Sequence, residues 1–259
     1  MEEKVIEIKN LEVSYDKKKV LKNINLDVYK GNIIGYIGPN GAGKSTTIKI
    51  LLGLNNDYSG EVKIFGKDIR EQGYDFKSKI GYVPEVIKLY ENLTAREYLT
   101  FVGQLYNIPY DKCDKKARAL MEILGIEHAY DTRLSSFSKG MKQKVLIIAA
   151  LIHNPEILFL DEPLSGLDAN SVLIIKEIIS KLRDNNKTIF YSSHIMEVVE
   201  KISDRILLLN NGKIVADGDF EEIKKLNHKK SLVEVFNDLT GFEDHLVLAD
   251  KFIDVINEV

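Results

Sequence analysis

The run Gly38-Pro39-Asn40-Gly41-Ala42-Gly43-Lys44-Ser45-Thr46 constrains this chain more than any other stretch. It follows an apolar, strand-like segment, Ile33 to Ile37, and opens a helical segment expected from Ser45 to Leu52. Without β-carbons at Gly38, Gly41 and Gly43, the backbone can wrap closely around a polyphosphate and turn successive N–H groups toward it. The helix N-terminus adds the positive end of its dipole. In the GxxxxGK[ST] pattern the lysine, here Lys44, reaches the β- and γ-phosphates, and the hydroxyl, here Ser45, ligates Mg²⁺. A strand entering and a helix leaving separate this pattern from an ordinary glycine-rich turn.

Kinases, GTPases, helicases and transport motors all use such a loop, so the rest of the chain has to choose among them. In Ile157-Leu158-Phe159-Leu160-Asp161-Glu162-Pro163 four apolar residues read as a strand buried on both faces. It ends in two carboxylates at the place where nucleotide sites form in doubly wound sheets. Asp161 is placed to hold the Mg²⁺ shell and Glu162 to orient and deprotonate a water. Phe137-Ser138-Lys139-Gly140-Met141 precedes a helix with Val145, Ile148, Ala149 and Ile152 at helical spacing, and alone Ser138 reads as its N-cap. Ser165-Gly166-Leu167-Asp168 alone reads as a turn into a helix from Ala169 to Arg183. Tyr191-Ser192-Ser193-His194 closes a strand from Thr188 to Tyr191 and sets an imidazole at its carboxyl end.

These elements, in this order, resemble the nucleotide-binding subunit of ATP-binding cassette (ABC) transporters over about residues 4–225. The resemblance implies an α/β P-loop NTPase core with a mainly parallel sheet, an antiparallel β side sheet and a helical subdomain. It implies that Tyr15 stacks on adenine, that Gly38 to Thr46 is the Walker A loop, and that Asp161 and Glu162 are the Walker B pair. Ser138 and Gly140 fall in the signature loop, Asp168 in the D-loop, and His194 at the switch histidine that touches the γ-phosphate. ATP and Mg²⁺ are the implied ligands, with Ser45, Glu85 and Asp161 toward the metal and Lys44, Glu162 and His194 catalytic. In the family two such subunits face head to tail, so that each ATP lies between one subunit's P-loop and the other's signature loop.

Two departures from the family pattern carry information. Phe137, Lys139 and Met141 replace three residues of the usual Leu-Ser-Gly-Gly-Gln signature, while the serine and second glycine remain. Tyr82-Val83-Pro84-Glu85 puts a carboxylate where the lid residue is usually Gln. Both are similar to the bacterial exporter-type (ABC-2) branch, as is Ser231 to Gly241 to its C-terminal element. The implied partners are a separate membrane-spanning permease subunit and a second nucleotide-binding subunit. The implied location is cytoplasmic, at the inner face of the membrane through that partner. Glu85 has three readings: a ligand of the metal or its water, a contact for a basic group on the permease, or a solvated loop acid.

Composition narrows the alternatives. A formal net charge of −3 supplies no basic footprint for nucleic acid, and no nucleic-acid partner is expected. Cys113 is the single cysteine, which excludes an internal disulfide and fits a reducing compartment. No apolar run approaches the ~18 residues of a membrane span, and Met1-Glu2-Glu3-Lys4 is not expected to begin a signal peptide. A soluble cassette protein acting on ribosomes or DNA remains an alternative, although one cassette without a heptad run argues against it. A regulatory module that closes on ATP without turnover is another, and intact Glu162 and His194 argue against that.

Period and punctuation place the elements. Residues 4–37 alternate as antiparallel strands, Glu61 to Phe65 is a further strand, and residues from about 90 to 153 switch to helical periodicity. Thr94 and Asp111 are expected N-caps, and Gly125 a stop. Asn211-Gly212 reads as a hairpin turn between Ile206 to Leu209 and Lys213 to Val215. Residues 1–225 are expected to form the ATPase domain and 226–259 a C-terminal extension. In the tail, Leu248, Ala249, Phe252, Val255, Ile256 and Val259 share one side of a helical wheel, opposite Glu243, Asp250, Lys251, Asp254 and Glu258. Such a stripe needs a surface, either near Val235 and Phe236 of this chain or on a second subunit.

Overall fold

The alternation along residues 4–15 and 18–29 produces a half-buried sheet. In the computed structural model, which describes residues 3–16, 18–73, 75–229, 231–241 and 245–257, β1 (Lys4–Tyr15) and β2 (Lys18–Tyr29) pair antiparallel. β3 (Ile33–Ile37) leaves for a second sheet, and the glycine loop after it leads into α1 (Lys44–Leu51). β4 (Ser59–Ile64) and β5 (Lys67–Asp68) return to complete a four-stranded antiparallel sheet of order β2-β1-β4-β5. The strand expected at Glu61 to Phe65 begins two residues earlier and ends at Ile64, because Phe65 takes a left-handed backbone at φ 52°.

After β6 (Ile80–Val83) the chain builds the helical subdomain from α2 (Ala95–Leu105), α3 (Tyr110–Ile123) and α4 (Lys139–Leu151). α2 opens with a reciprocal capping box: Glu97 N–H donates to Thr94 Oγ1 at 3.1 Å, and Thr94 N–H to Glu97 Oε2 at 2.8 Å. Asp111 is not the N-cap expected of it. Pro109 occupies that position, and Asp111 lies in the first turn of α3, where its charge still favours the helix dipole. Gly125 does follow the end of α3, at φ 70°. The Tyr130 ring is buried with the Arg96 and Arg118 guanidiniums 5.2 and 4.7 Å from its centroid, and its hydroxyl donates to Asp114.

The chain then alternates through β7 (Ile157–Asp161), α5 (Ala169–Asp184), β8 (Thr188–Ser192), α6 (Met196–Ile202), β9 (Arg205–Asn210) and β10 (Lys213–Gly218). The second sheet has the order β10-β9-β3-β8-β7-β6, parallel except for the β9–β10 hairpin. Every residue of β3, β7 and β8 is buried, as strands covered on both faces must be. Their uniform apolarity hides an alternation. Tyr36, Phe159 and Phe190 face the core shared with the antiparallel sheet, whereas Ile37, Leu160 and Tyr191 face the core under the helices. At the hairpin, Asn211 and Gly212 have φ of 48° and 77°, the two left-handed residues that a type I′ turn requires.

Among the described residues α7 (Phe220–Leu226), α8 (Leu232–Thr240) and α9 (His245–Asn257) follow. Leu232 and Val235 are fully buried, and Asn210 Nδ2 donates to the Leu239 carbonyl at 2.9 Å, so α8 is fastened to the end of β9. Among the described side chains of α9 no such bond is made. Leu248, Phe252, Val255 and Ile256 are 43–67% exposed, so the predicted stripe does not cover itself on Val235 and Phe236. Glu243, Glu258 and Val259 lie outside the described residues. No helix among the described residues is long and apolar enough to cross a membrane.

Candidate functional site

The carboxyl ends of β3, β7 and β8 open on one cleft of about 420 Å³. Its floor is the glycine loop. Gly41 and Gly43 take φ of 79° and 114°, and a β-carbon on Gly38 would strike the Leu209 carbonyl of β9. α1 starts at Lys44, one residue before the expected Ser45, and its capping residue Gly43 has no side chain to satisfy the first N–H groups. Nor does any acidic residue stand in that first turn. A helix N-terminus left open and without a carboxylate in this way suits an anionic ligand, and a β-carbon on Gly43 would in turn strike the Leu21 side chain, so neither Gly38 nor Gly43 has room for a larger residue.

Lys44 Nζ donates to the carbonyls of Gly38 at 2.6 Å and Pro39 at 3.2 Å, which suspends the ammonium over the loop. Burial holds its pKa below the usual lysine value, opposed by the charges of Asp161, Glu162 and Glu85. Beneath the loop, Tyr36 is buried and donates to Thr47 Oγ1 at 3.0 Å, and Thr47 donates to the Gly43 carbonyl at 3.2 Å. Strand, loop and helix are thereby stapled from the core side.

Asp161 is the last residue of β7, and Glu162 the first beyond it, at φ 50°. Burial raises both carboxyls above their ordinary range. For Asp161 the Glu85 charge adds to the rise and the Ser192 hydroxyl opposes it; for Glu162 the opposition comes from His194 and Ser193. The same crowding, after burial, pushes the Tyr82 phenol up to about 12. Ser45, Glu85 and Asp161 line one cleft and offer only oxygen. Among the described residues no three His, Cys, Asp or Glu side chains gather to hold an ion by themselves. That donor set fits a hard cation such as Mg²⁺, which completes its shell with substrate phosphates and water.

Tyr15 stands at the outer rim, 46% exposed, and Asn55 Nδ2 donates to its hydroxyl at 3.0 Å. An exposed ring held by its edge leaves a face free for a planar partner. Asn40, Thr46 and His194 line the same cleft, while Ala42 is buried under the loop and its N–H donates to the Pro39 carbonyl. Lys18, Lys19, Lys22, Ser192 and Asn211 also line the cleft, and motif reading missed them as site residues. Their signal was weak: three lysines at the start of a strand, a serine beside a histidine motif, and an asparagine whose turn already had a backbone explanation. What brings the hairpin in is bonding, for Lys22 N–H donates to the Gly212 carbonyl and Gly212 N–H to the Ala42 carbonyl.

Ser138, Gly140 and Asp168 do not line this cleft. Ser138 Oγ caps α4 by accepting from Met141 N–H at 3.2 Å, and Asp168 caps α5 by accepting from Ser171 N–H at 3.0 Å. A β-carbon on Gly140 would lie 2.8 Å from the Gly166 carbonyl, and Lys139 Nζ donates to Ser165 Oγ at 3.0 Å. The two loops therefore pack against each other, apart from the phosphate loop.

A family model described as "ABC transporter" matches residues 21–165. The linearmycin resistance ATP-binding protein LnrL of Bacillus subtilis is 34% identical over 255 residues, covering 98% of this chain and 81% of its own. The bacitracin transport ATP-binding protein BcrA of Bacillus licheniformis is 37% identical over 226 residues, covering 87% and 73%. Among solved structures, an ATP-binding subunit of an ABC transporter superposes with a TM-score of 0.85 at 31% identity, covering 91% of this chain and 99% of that one. A dimeric ATP-binding cassette in a post-hydrolysis state with ADP and Pi gives a TM-score of 0.76 at 26% identity, covering 83% and 98%.

Proposed function

The chain belongs to the ABC transporter family as an ATP-binding subunit, and from that premise we propose that it hydrolyses ATP as one half of a head-to-tail dimer that drives export through a separate permease. The observation that carries this reading is the division of the machinery. Lys44, Asp161, Glu162 and His194 meet in one cleft, whereas Ser138, Gly140 and Asp168 face elsewhere and have no ligand to serve within one copy. A second copy, turned head to tail, gives them one. Export is the direction favoured by relatives whose names concern antibiotic resistance and bacitracin transport, together with Phe137, Lys139, Met141 and Glu85 at the variant positions. In this reading the protein works in the cytoplasm and reaches the membrane only through its partner.

Catalysis here is positioning and charge neutralisation. Tyr15 offers its ring to the base, and the open N–H groups of the loop and of α1 hold the phosphates. Lys44 opposes their charge. Ser45, Asp161 and Glu85 would hold Mg²⁺, which when bound neutralises charge on the phosphate oxygens. Glu162 orients a water and accepts its proton, a task suited to a carboxyl whose pKa burial has raised. His194 Nε2, 3.8 Å from Glu162 Oε1, stands beside that proton acceptor.

Replacing Glu162 by Gln keeps the shape and removes the acceptor, so turnover falls by roughly 10²- to 10⁴-fold while ATP still binds. A phosphate-release assay with a parallel nucleotide titration measures both. Wild-type turnover in the variant would refute the assignment.

A further inference from the structure

β7 and β8 run parallel, and their last registered pair is Asp161 with Ser192. Both strands end at that pair, yet the two segments remain tied one residue further, because Glu162 N–H donates to the Ser192 carbonyl at 3.0 Å. Glu162 there adopts φ 50°, a left-handed conformation that a residue with a β-carbon takes only where its surroundings impose it. Its side chain is held at both oxygens. Oε1 accepts from the His194 N–H at 2.6 Å, and Oε2 accepts from the Ser193 hydroxyl at 3.2 Å.

Ser193 is only 5% exposed, and its oxygen accepts from the Ile195 N–H at 3.2 Å. The Tyr191 hydroxyl also lies within reach of Ser193, and the Ser193 proton goes to the carboxylate, the stronger acceptor of the two. One donor on each carboxylate oxygen still leaves each a free lone pair for water. A single donor would pin one oxygen and let the carboxylate plane swing about it. The second donor, on the other oxygen, removes that swing.

We propose that Ser193 is a positioning residue that, through its hydroxyl on Oε2, fixes the plane of the Glu162 carboxylate across the cleft. The proposal rests on Glu162 being the proton acceptor. It assigns Ser193 no contact with ATP, which Lys44 and the loop hold independently. Losing the hydroxyl therefore lowers the fraction of time that the acceptor is aimed, and leaves nucleotide affinity alone.

The test uses the full chain as Ser193→Ala, Ser193→Thr and Glu162→Gln, with kcat and KM from phosphate release and Kd from titration with a fluorescent ATP analogue. Ser193→Ala should lower kcat about tenfold, as expected for a misaimed catalytic group, while KM and Kd stay within about twofold. Ser193→Thr, which keeps the hydroxyl, should recover most of the loss. In single-turnover hydrolysis, adding Ser193→Ala to Glu162→Gln should cost nothing more, since the group it aims is gone. Wild-type kcat in Ser193→Ala, a parallel loss of ATP affinity, no recovery by Thr, or a further tenfold loss in the double variant would each overturn the proposal. If Glu162→Gln turns over normally, the acceptor assignment falls and takes this proposal with it. If Glu162→Gln is inactive and Ser193→Ala is normal, only the positioning role falls.

Discussion

Removing one oxygen from beneath the phosphate loop tests how the loop is held. Tyr36 and Thr47 are each about 1% exposed, and the Tyr36 hydroxyl donates to Thr47 Oγ1, which donates to the Gly43 carbonyl. Tyr36→Phe deletes the first link and leaves Thr47 its own donation, so the loss is one buried hydrogen bond, about 1 kcal/mol. Thr47→Val is worse. It strands the Tyr36 hydroxyl as a buried donor and also takes a donor from Gly43, which together cost about 2 kcal/mol. The double variant strands no donor, so it should cost about 2 rather than 3 kcal/mol, a coupling of about 1 kcal/mol. Urea unfolding with an unchanged m-value measures these differences, and in thermal melts each kcal/mol corresponds to roughly 2–4 °C. ATP affinity should fall in step by no more than about fivefold per kcal/mol, because the staple orders the loop that binds phosphate. A Tyr36→Phe protein as stable as the wild type, or single effects that simply add, would show that the oxygen chain does not hold the loop.

Three further outcomes follow from exposed parts of the site and the tail. Tyr15→Ala should weaken ATP and GTP binding alike, by about tenfold for a lost stacking platform, while Tyr15→Phe, which forfeits only the Asn55 bond, stays near wild type in a nucleotide titration. Glu85→Gln should change the Mg²⁺ concentration that half-saturates turnover, because the Glu85 charge acts on both Asp161 and Lys44; an unchanged titration together with unchanged transport coupling would remove any role for its charge. Deleting residues 242–259 should leave ATP binding and monomer stability intact, since the apolar side of α9 is exposed, and should weaken association with a second copy or with the permease. Normal assembly of the truncated protein, followed by analytical ultracentrifugation or copurification, would exclude α9 from both contacts.

The features legible in the sequence were those whose physics is local. The glycine loop, the Thr94 and Ser138 caps, and the Asn211-Gly212 turn each depend on backbone groups within a few residues, so the residue types announce the conformation. Asp111 failed as a cap for a local reason too, since Pro109 suits the position before a helix and a first-turn acid gains from the same dipole. The apolar strands were visible as strands, but not which of their side chains face which core. A run buried on both faces carries no alternation to read.

What belonged to tertiary structure was every match between distant segments. The pairing of Asp161 with Ser192 aims Glu162 at Ser193, and the β9–β10 turn reaches the phosphate loop through Ala42. Neither follows from composition or period, because strand order and register come from non-local pairing. The same holds for the separation of Ser138, Gly140 and Asp168 from the cleft, and for the uncovered face of α9. Sequence determined the chemical groups and the local turns that present them. The layering of two sheets and a helical subdomain decided which groups meet, since bonds of about 3 Å form only where the long-range packing has already brought both ends together.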